Sequence, residues 1–143
     1  MATVHLWTDA SVRPPDRSTA VGFLIEDERG ELLGAFGYPL EEYHDSTTAE
    51  YLAIIHGLEH TLEVTPARTV HIHTDATSVL RVLSEEHDDM TDCPRLQGFV
   101  FRVRQLFERF DDVKLHDVPS EENPAHALAT SGNASSQTAT ADD

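Results

Sequence analysis

The order of strand-like and helix-like segments constrains the fold of this chain more than any other feature. Five short runs rich in β-branched and aromatic residues predict strands, at 3–9, 18–27, 31–40, 69–74 and 113–118. Four segments with apolar residues at helical spacing predict helices, at 46–63, 76–86, 94–110 and 123–129. The order β-β-β-α-β-α-α-β-α predicts an α/β fold, in which a five-stranded mixed sheet is flanked by helices.

The loop and capping residues between these segments, together with the composition of the C-terminal tail, predict one domain. Pro14-Pro15 indicates a loop at 10–17, and Ser46 or Thr47 is the expected N-cap of the first helix. From Thr130 the chain is small and polar, so we expect a domain at 1–130 and a disordered tail at 131–143.

The net charge of −16 is extreme for 143 residues. Such a charge argues against binding nucleic acid, because phosphates repel acids. It also fits adaptation to very high salt, where the Debye length shrinks to about 3 Å and dense acids are tolerated. The presence of only one lysine, Lys114, favours adaptation to salt. If this interpretation holds, folding and activity need molar salt.

Three acids sit where the predicted elements would aim them at one point. Asp9 lies in the first strand, Glu50 opens the first helix, and Asp75 follows the fourth strand. Clustered carboxylates repel each other unless a cation holds them together. The three acids therefore predict a divalent-metal site and phosphoryl-transfer chemistry.

Four motifs in this order resemble the type I ribonuclease H family. They are Thr8-Asp9-Ala10-Ser11, Ser46 to Tyr51, His73-Thr74-Asp75-Ala76, and Val118-Pro119 through Asn123 to Ala129. The resemblance covers about residues 3 to 130 and implies the RNase H-like fold. It implies an endonuclease that hydrolyses the RNA strand of RNA/DNA hybrids with two Mg²⁺ or Mn²⁺ ions.

The resemblance also assigns roles to individual residues. Asp9 would bridge both ions, Glu50 would ligate one of them and sense the ribose 2′-hydroxyl, and Asp75 would complete that ion's shell. One ion would lower the pKa of the attacking water, and the other would stabilise the leaving 3′-oxygen. Five further residues would face the minor groove of the substrate: Ala10, Ser11, Ser46, Thr47 and Thr77.

His126 occupies the position of the family's fourth carboxylate. Imidazole is a poor ligand for Mg²⁺ but suits Mn²⁺, Co²⁺ or Zn²⁺. His126 is therefore a candidate catalytic residue and metal ligand; the alternative is that it only caps or packs the last helix. The family's catalytic loop histidine and basic protrusion are not found in this sequence, so weak substrate affinity or reliance on a partner is expected.

Other features leave alternatives open. Arg95, Arg102 and Arg109 recur every seven residues and could track phosphates or form a solvated rim. His71 and His73 share a strand face; packing under a helix is favoured over a metal-binding pair. Trp7 is expected in the core.

The prediction is a monomeric, cytoplasmic ribonuclease H from a salt-loving organism, acting on RNA/DNA hybrid without a membrane partner or small-molecule cofactor. The single cysteine, Cys93, fits a reduced compartment, and MATVHLWTDA does not resemble a secretion signal. Two rivals remain: a non-catalytic module of the same fold that binds nucleic acid or protein, and a nuclease of the same fold that acts on double-stranded RNA.

Overall fold

The computed structural model describes residues 2–84 and 93–141, with side chains described as far as residue 133. The end of the predicted second helix, residues 85 and 86, lies outside the described residues. None of the helices in the described ranges combines the length and apolar character needed to cross a bilayer.

Five strands form one mixed sheet in the order β3-β2-β1-β4-β5. The strands are β1 (Thr3–Arg13), β2 (Ser18–Asp27), β3 (Leu32–Pro39), β4 (Thr69–Thr74) and β5 (Asp112–Asp117). β1, β2 and β3 are antiparallel neighbours, whereas β4 runs parallel to both β1 and β5. The predicted α/β architecture with three antiparallel and two parallel strands is confirmed.

The helices of the described residues are α1 (Ser46–Val64), α2 (Thr77–Ser84), α3 (Pro94–Phe107) and α4 (Ala125–Ala141). The N-cap of α1 is Asp45, whose carboxylate accepts the backbone N–H of Thr48 at 2.8 Å. The prediction of Ser46 or Thr47 as the cap was wrong by one or two positions. Both hydroxyl residues instead lie in the first turn, and only Asp45 has the extended backbone of a cap.

β1 continues past the predicted strand end. Ala10 to Arg13 pair with Val21 to Ser18 of β2, so the expected loop at 10–17 shrinks to a 3₁₀ turn over Pro14–Asp16 and the adjoining Arg17. Backbone pairing along the neighbouring strand outweighed the weak strand propensity of Ala10 and Ser11. The longer strand keeps Asp9 inside the ladder, with hydrogen-bonded backbone on both sides of it.

The two faces of the sheet are covered differently. Alternate residues of the strands, such as Leu6, Phe23 and Ile72, are fully buried in the core with Ile54 and Leu58 of α1. On the opposite face, α4 packs on β1, β2 and β3.

Two glycines allow α4 to approach the sheet closely. A Cβ on Gly22 would lie 2.4 Å from the Ala129 nitrogen, and one on Gly37 would lie 2.1 Å from the Leu128 carbonyl oxygen. A side chain at either position would push the helix away from the sheet. The first turns of α4 therefore lie close to β2 and β3, in the segment that also carries His126.

α4 is longer than the sequence predicted. The expected helix ended at residue 129, whereas α4 continues to Ala141. Asn133 is fully buried, and its side-chain N–H₂ donates to the backbone oxygen and the hydroxyl of Ser11 at 2.8 Å each. A disordered tail from residue 131 is therefore wrong for 131–133, because this anchor on β1 carries the helix past the predicted boundary. Residues 134–141 continue α4, and disorder stays a prediction only for residues 142 and 143, which lie outside the described residues.

Candidate active site

Three carboxylates from separate elements meet at one end of the sheet. Asp9 lies on β1, Glu50 lies in α1, and Asp75 comes one residue after β4. β1 and β4 are parallel neighbours with Trp7 opposite His73, so Asp9 and Asp75 follow at the same edge. One oxygen from each of the three acids lies within 4.8 Å of the others. Among the described residues, this acidic cluster is the only group of three or more potential metal ligands that meet in this way.

The acidic cluster is largely removed from water. Asp9 is 3 % exposed, while Glu50 and Asp75 are half-buried. Burial, with further contributions from the Asp9 and Asp75 charges, raises the pKa of Glu50 to about 9. Burial also raises the pKa of Asp9, against the opposing effect of its hydrogen bonds to His126 and to the backbone of Ala10. Without a cation, the protein therefore resists ionising all three acids together.

Two oxygens of the acidic cluster are buried without a hydrogen-bond partner in the protein. They are Oε1 of Glu50 and Oδ1 of Asp75. An unpaired buried acceptor is costly, and hard carboxylate oxygens are the ligands that Mg²⁺ and Mn²⁺ prefer. The cluster fits a divalent cation, because such an ion would both pair these oxygens and offset the repulsion between the charges.

His126 lies beside the acidic cluster. Its Nδ1 is 2.9 Å from Oδ2 of Asp9, although the imidazole is 57 % exposed. The sequence predicted that His126 is at the site, and its contact with Asp9 is consistent with that prediction. Whether His126 ligates a metal stays a prediction.

Comparison with known proteins places this geometry in a family. Residues 7–132 match the family described as reverse transcriptase-like. The chain belongs to this reverse transcriptase-like family. Among curated protein sequences, none matches it.

Solved structures similar to this reverse transcriptase-like domain include several ribonucleases H. RNase H1 from the halophilic archaeon Halobacterium salinarum is 27 % identical, with a TM-score of 0.81 over 91 % of this chain and 96 % of that one. The N-terminal RNase H domain of a Mycobacterium tuberculosis protein is 20 % identical, with a TM-score of 0.85 over 97 % and 99 % of the two chains. LC11-RNase H1 in complex with an RNA/DNA hybrid is 19 % identical, with a TM-score of 0.81 over 94 % and 99 %. The fold is therefore that of RNase H.

Asn123 is a positioning residue that the sequence reasoning missed. Its side-chain N–H₂ donates to the backbone oxygen of Thr8 at 2.9 Å, and its side-chain oxygen accepts the N–H of Ala125 at 3.0 Å. Asn123 thereby ties the start of α4 to the residue before Asp9. An Asn followed by Pro at a helix start is a capping signal, and it could have indicated half of this role.

The predicted substrate-binding residues separate into two groups. Ser46, Thr47 and Thr77 line an open cleft together with Glu50 and Asp75. Their side chains therefore lie beside two of the three acids in this cleft.

Ala10 and Ser11 lie on the other side of the acidic cluster. The Ala10 backbone is hydrogen-bonded to the carboxylates of Asp9 and Glu50, which acts to lower the pKa of both acids. The Ser11 hydroxyl is held by Asn133. A substrate contact through Ser11 would therefore compete with an existing hydrogen bond.

Two arginines of the predicted line on α3 form ion pairs within the chain. Arg95 contacts the Asp45 carboxylate at 2.5 Å and donates to the Thr48 hydroxyl at 2.7 Å, and Arg102 contacts Glu59 at 2.9 Å. These contacts favour the interpretation as a rim that braces α1. Arg95 nonetheless stands at the N-terminus of α1, close to the cleft.

Proposed function

We propose that this protein is a ribonuclease H, a metal-dependent endonuclease that hydrolyses the RNA strand of RNA/DNA hybrids. The observation that carries the proposal is the acidic cluster, with two buried oxygens left unpaired, on a fold shared with RNase H1 structures. One of these structures is a complex with an RNA/DNA hybrid.

The protein's own groups support this chemistry as follows. Asp9, Glu50 and Asp75 would hold two divalent ions, Mg²⁺ or Mn²⁺, which when bound lower the pKa of an attacking water and stabilise the leaving 3′-oxygen. The raised pKa of Glu50 means that its carboxyl keeps a proton until a cation displaces it. Binding of the ions would therefore release a proton and organise the site at the same time.

Residues around the acidic cluster would orient it and the substrate. His126 would hold the Asp9 carboxylate through its 2.9 Å contact and could supply a nitrogen ligand, which favours Mn²⁺ over Mg²⁺. Glu50, at the cleft, would sense the ribose 2′-hydroxyl, and the hydroxyls of Ser46, Thr47 and Thr77 would contact the sugar-phosphate backbone.

The strongly negative charge of the protein indicates the salt concentration at which it would bind and cleave a hybrid. A net charge of −16 would repel a hybrid in dilute buffer, and molar salt would screen that repulsion. The similarity to RNase H1 of a halophilic archaeon supports a working environment of high salt. A monomeric state and a cytoplasmic location remain part of the proposal.

Cleavage of end-labelled RNA/DNA hybrid in high KCl, with Mg²⁺ or Mn²⁺, tests the proposal. Single-stranded RNA, double-stranded RNA and DNA duplex serve as substrate controls. We expect cleavage of the hybrid alone, its loss in Asp9→Asn, and its retention in Asp111→Asn, which removes only an exposed ion pair with Arg68.

Two other results would redirect the proposal. Cleavage of double-stranded RNA in preference to hybrid would indicate a nuclease with a different substrate. A folded protein that cleaves nothing under either metal would indicate a non-catalytic module, in which His126 in place of a fourth carboxylate marks lost catalysis.

A further inference from the structure

A second cluster of potential ligands lies on the sheet face opposite α1. It consists of four histidines, His5 on β1, His71 and His73 on β4, and His116 on β5, and we call it the histidine face. Leu6 and Ile72, between these positions, are buried in the core, so strand alternation points the imidazoles away from α1. All four histidines are half-buried.

The four imidazoles form a closed quadrilateral. Ring centroids are 4.9 Å apart for His5 and His71, 4.9 Å for His71 and His116, 4.8 Å for His116 and His73, and 5.2 Å for His73 and His5. The sequence offered two interpretations for His71 and His73, packing under a helix or a metal-binding pair with each other, and both left out His5 and His116. His71 and His73 pack against other histidines across the strands, and each pairs diagonally with a partner from a neighbouring strand.

In the strand register His5 lies opposite His71 and His73 lies opposite His116, so the pairs His5–His73 and His71–His116 are diagonal across neighbouring strands. Each of these diagonal pairs brings two ring nitrogens into contact. Nδ1 of His5 lies 3.0 Å from Nε2 of His73, and Nδ1 of His71 lies 2.7 Å from Nε2 of His116. Each contact requires that one ring donates and the other accepts, so at least one ring of each pair must be neutral. Neutral imidazole is the form that binds metals.

The nitrogen separations match those of a chelate. Two imidazoles bound to one ion at about 2.0–2.1 Å have nitrogens about 2.9–3.4 Å apart for bond angles between 90° and 109°. The observed 3.0 Å already falls within this range, and the 2.7 Å pair would need to open by only a few tenths of an ångström. The strands hold the rings, so little ordering would be needed on binding.

We propose that the histidine face is a transition-metal site separate from the acidic cluster, in which each diagonal histidine pair binds one divalent ion that prefers nitrogen ligands. Water would complete the coordination, because the described residues bring no third ligand to either pair. Imidazole selects Cu²⁺, Ni²⁺ and Zn²⁺ and discriminates against Mg²⁺, so the two clusters would take different metals. This proposal does not depend on nuclease activity.

Trp7 provides a probe for the His5–His73 pair. It is the only tryptophan of the chain, and its ring stacks on His73 at 4.1 Å, with the indole N–H donating to Glu26 at 2.8 Å. Trp7 is thus part of this face rather than of the core, contrary to the sequence prediction. A paramagnetic ion bound by the pair would lie close enough to quench its fluorescence.

The test is titration of the full chain with Cu²⁺ while the fluorescence of Trp7 is followed in the presence of excess Mg²⁺. We expect saturable quenching that a chelator reverses. His5→Gln should weaken it about tenfold or more, because even supporting residues of metal sites change affinity by that factor. His44→Gln, a histidine outside the face, and Asp75→Asn, in the acidic cluster, should both retain it.

Equilibrium dialysis tests the second pair. His116→Gln should lose one bound Cu²⁺ per chain and keep the quenching of Trp7. Equal copper binding by the wild type, His5→Gln and His116→Gln would overturn the proposal, as would loss of quenching in Asp75→Asn.

A measurement on the wild type guards against variants that do not fold. The electron paramagnetic resonance spectrum of the copper-loaded protein should show nitrogen hyperfine splitting. A spectrum with oxygen ligands alone would overturn the proposal, because it would show that copper binds carboxylates and that the imidazoles bond only to one another.

Discussion

The acidic cluster and the histidine face share the strands β1 and β4 but satisfy their polar groups in opposite ways. His5, Trp7 and Asp9 alternate along β1, and His73 precedes Asp75 by two residues at the end of β4. The histidines bond to one another, whereas Glu50 and Asp75 each leave a buried oxygen without a partner. A neutral ring can both donate and accept, but carboxylates can only accept until they are protonated or bind a cation. The difference teaches that the acidic cluster needs protons or a cation to neutralise its carboxylates, whereas the histidine face pairs its nitrogens internally.

The largest expected effect comes from Glu50→Gln. Cleavage of RNA/DNA hybrid should fall by about 10³-fold or more, as for groups that act on the transition state. The metal-free variant should at the same time be more stable than the wild type, because the glutamine avoids the free-energy cost of protonating the Glu50 carboxyl on folding. Steady-state cleavage and chemical unfolding measure the two effects, with Glu63→Gln, exposed on the same helix, as the control. A variant that loses stability together with activity would contradict the view that the empty cluster repels itself.

Asn123→Ala should destabilise the protein by about 2 kcal/mol, because it removes a buried hydrogen bond to the Thr8 backbone oxygen and a helix cap. Hybrid cleavage should also fall, since His126 would lose its fixed position beside Asp9. Asn123→Ser keeps the capping acceptor and should recover part of the stability. Urea unfolding and cleavage assays of both variants provide the check; an unaltered midpoint would mean that α4 is held by its glycine contacts alone.

The acidic cluster should make the metal-free protein less stable as the pH rises. The pKa of Glu50 is raised to about 9 from 4.5, so the folded state holds a proton that the unfolded state has released between these values. Stability of the metal-free protein should therefore decrease as pH rises from 4.5 towards 9, by at most about 1.4 kcal/mol per pH unit, since one proton is involved. Mn²⁺ or Glu50→Gln should flatten this slope. The check is the free energy of unfolding measured between pH 4.5 and 9, with and without Mn²⁺, for the wild type and Glu50→Gln. A slope that neither Mn²⁺ nor the substitution alters would refute the prediction.

The histidine face should give the opposite slope on the acid side. Burial and the neighbouring histidines lower the pKa of His73 to about 4 from 6.5. Its contribution is present above pH 6.5 and lost as pH falls towards 4, because the unfolded state binds the proton first. The half-exposed ring limits the effect to about 1 kcal/mol. Thermal unfolding of wild type and His73→Gln between these pH values should show a shallower slope in the variant, whereas parallel curves would show that His73 does not titrate as expected.

The smallest effect is expected for His126→Asp. A carboxylate restores a hard oxygen ligand beside Asp9 and should raise Mg²⁺-supported cleavage by about 3–10-fold relative to Mn²⁺. Ala127→Asp adds the same charge to the adjacent exposed position of α4 and serves as the control. No change in metal preference would count against a ligand role for His126.

Much of the fold could be predicted from local pattern. β4 was predicted at 69–74 and lies at Thr69–Thr74, because Val70 and Ile72 alternate with polar residues. The predicted ends of elements were wrong where a contact between residues distant in the sequence sets the boundary. β1 extends to Arg13 through pairing with β2, and α4 extends beyond residue 129 through the bonds of Asn133 to Ser11. Neither contact has a signal within a short window of sequence.

The candidate site was also predicted only in part, because local patterns locate single residues whereas contacts between distant residues do not show in the sequence. Asp9, Glu50 and Asp75 could be named because each stands at the end or start of a recognisable element, and the structure brings them together. Asn123 was missed because half of its role, the bond to Thr8, joins residues 115 positions apart. His5 and His116 were missed because strand order had to be known before four separate histidines could be placed on one face.

By itself, the sequence determined the elements, the sheet class and the three acids, since alternation, capping and turn residues act over a few positions. Only the tertiary structure decided which groups share a buried space. It left the Glu50 and Asp75 oxygens unpaired, set His126 against Asp9, and gathered four histidines beside Trp7. Burial and separation between distant residues set pKa values and metal preference, and they are properties of the packed sheet rather than of any segment.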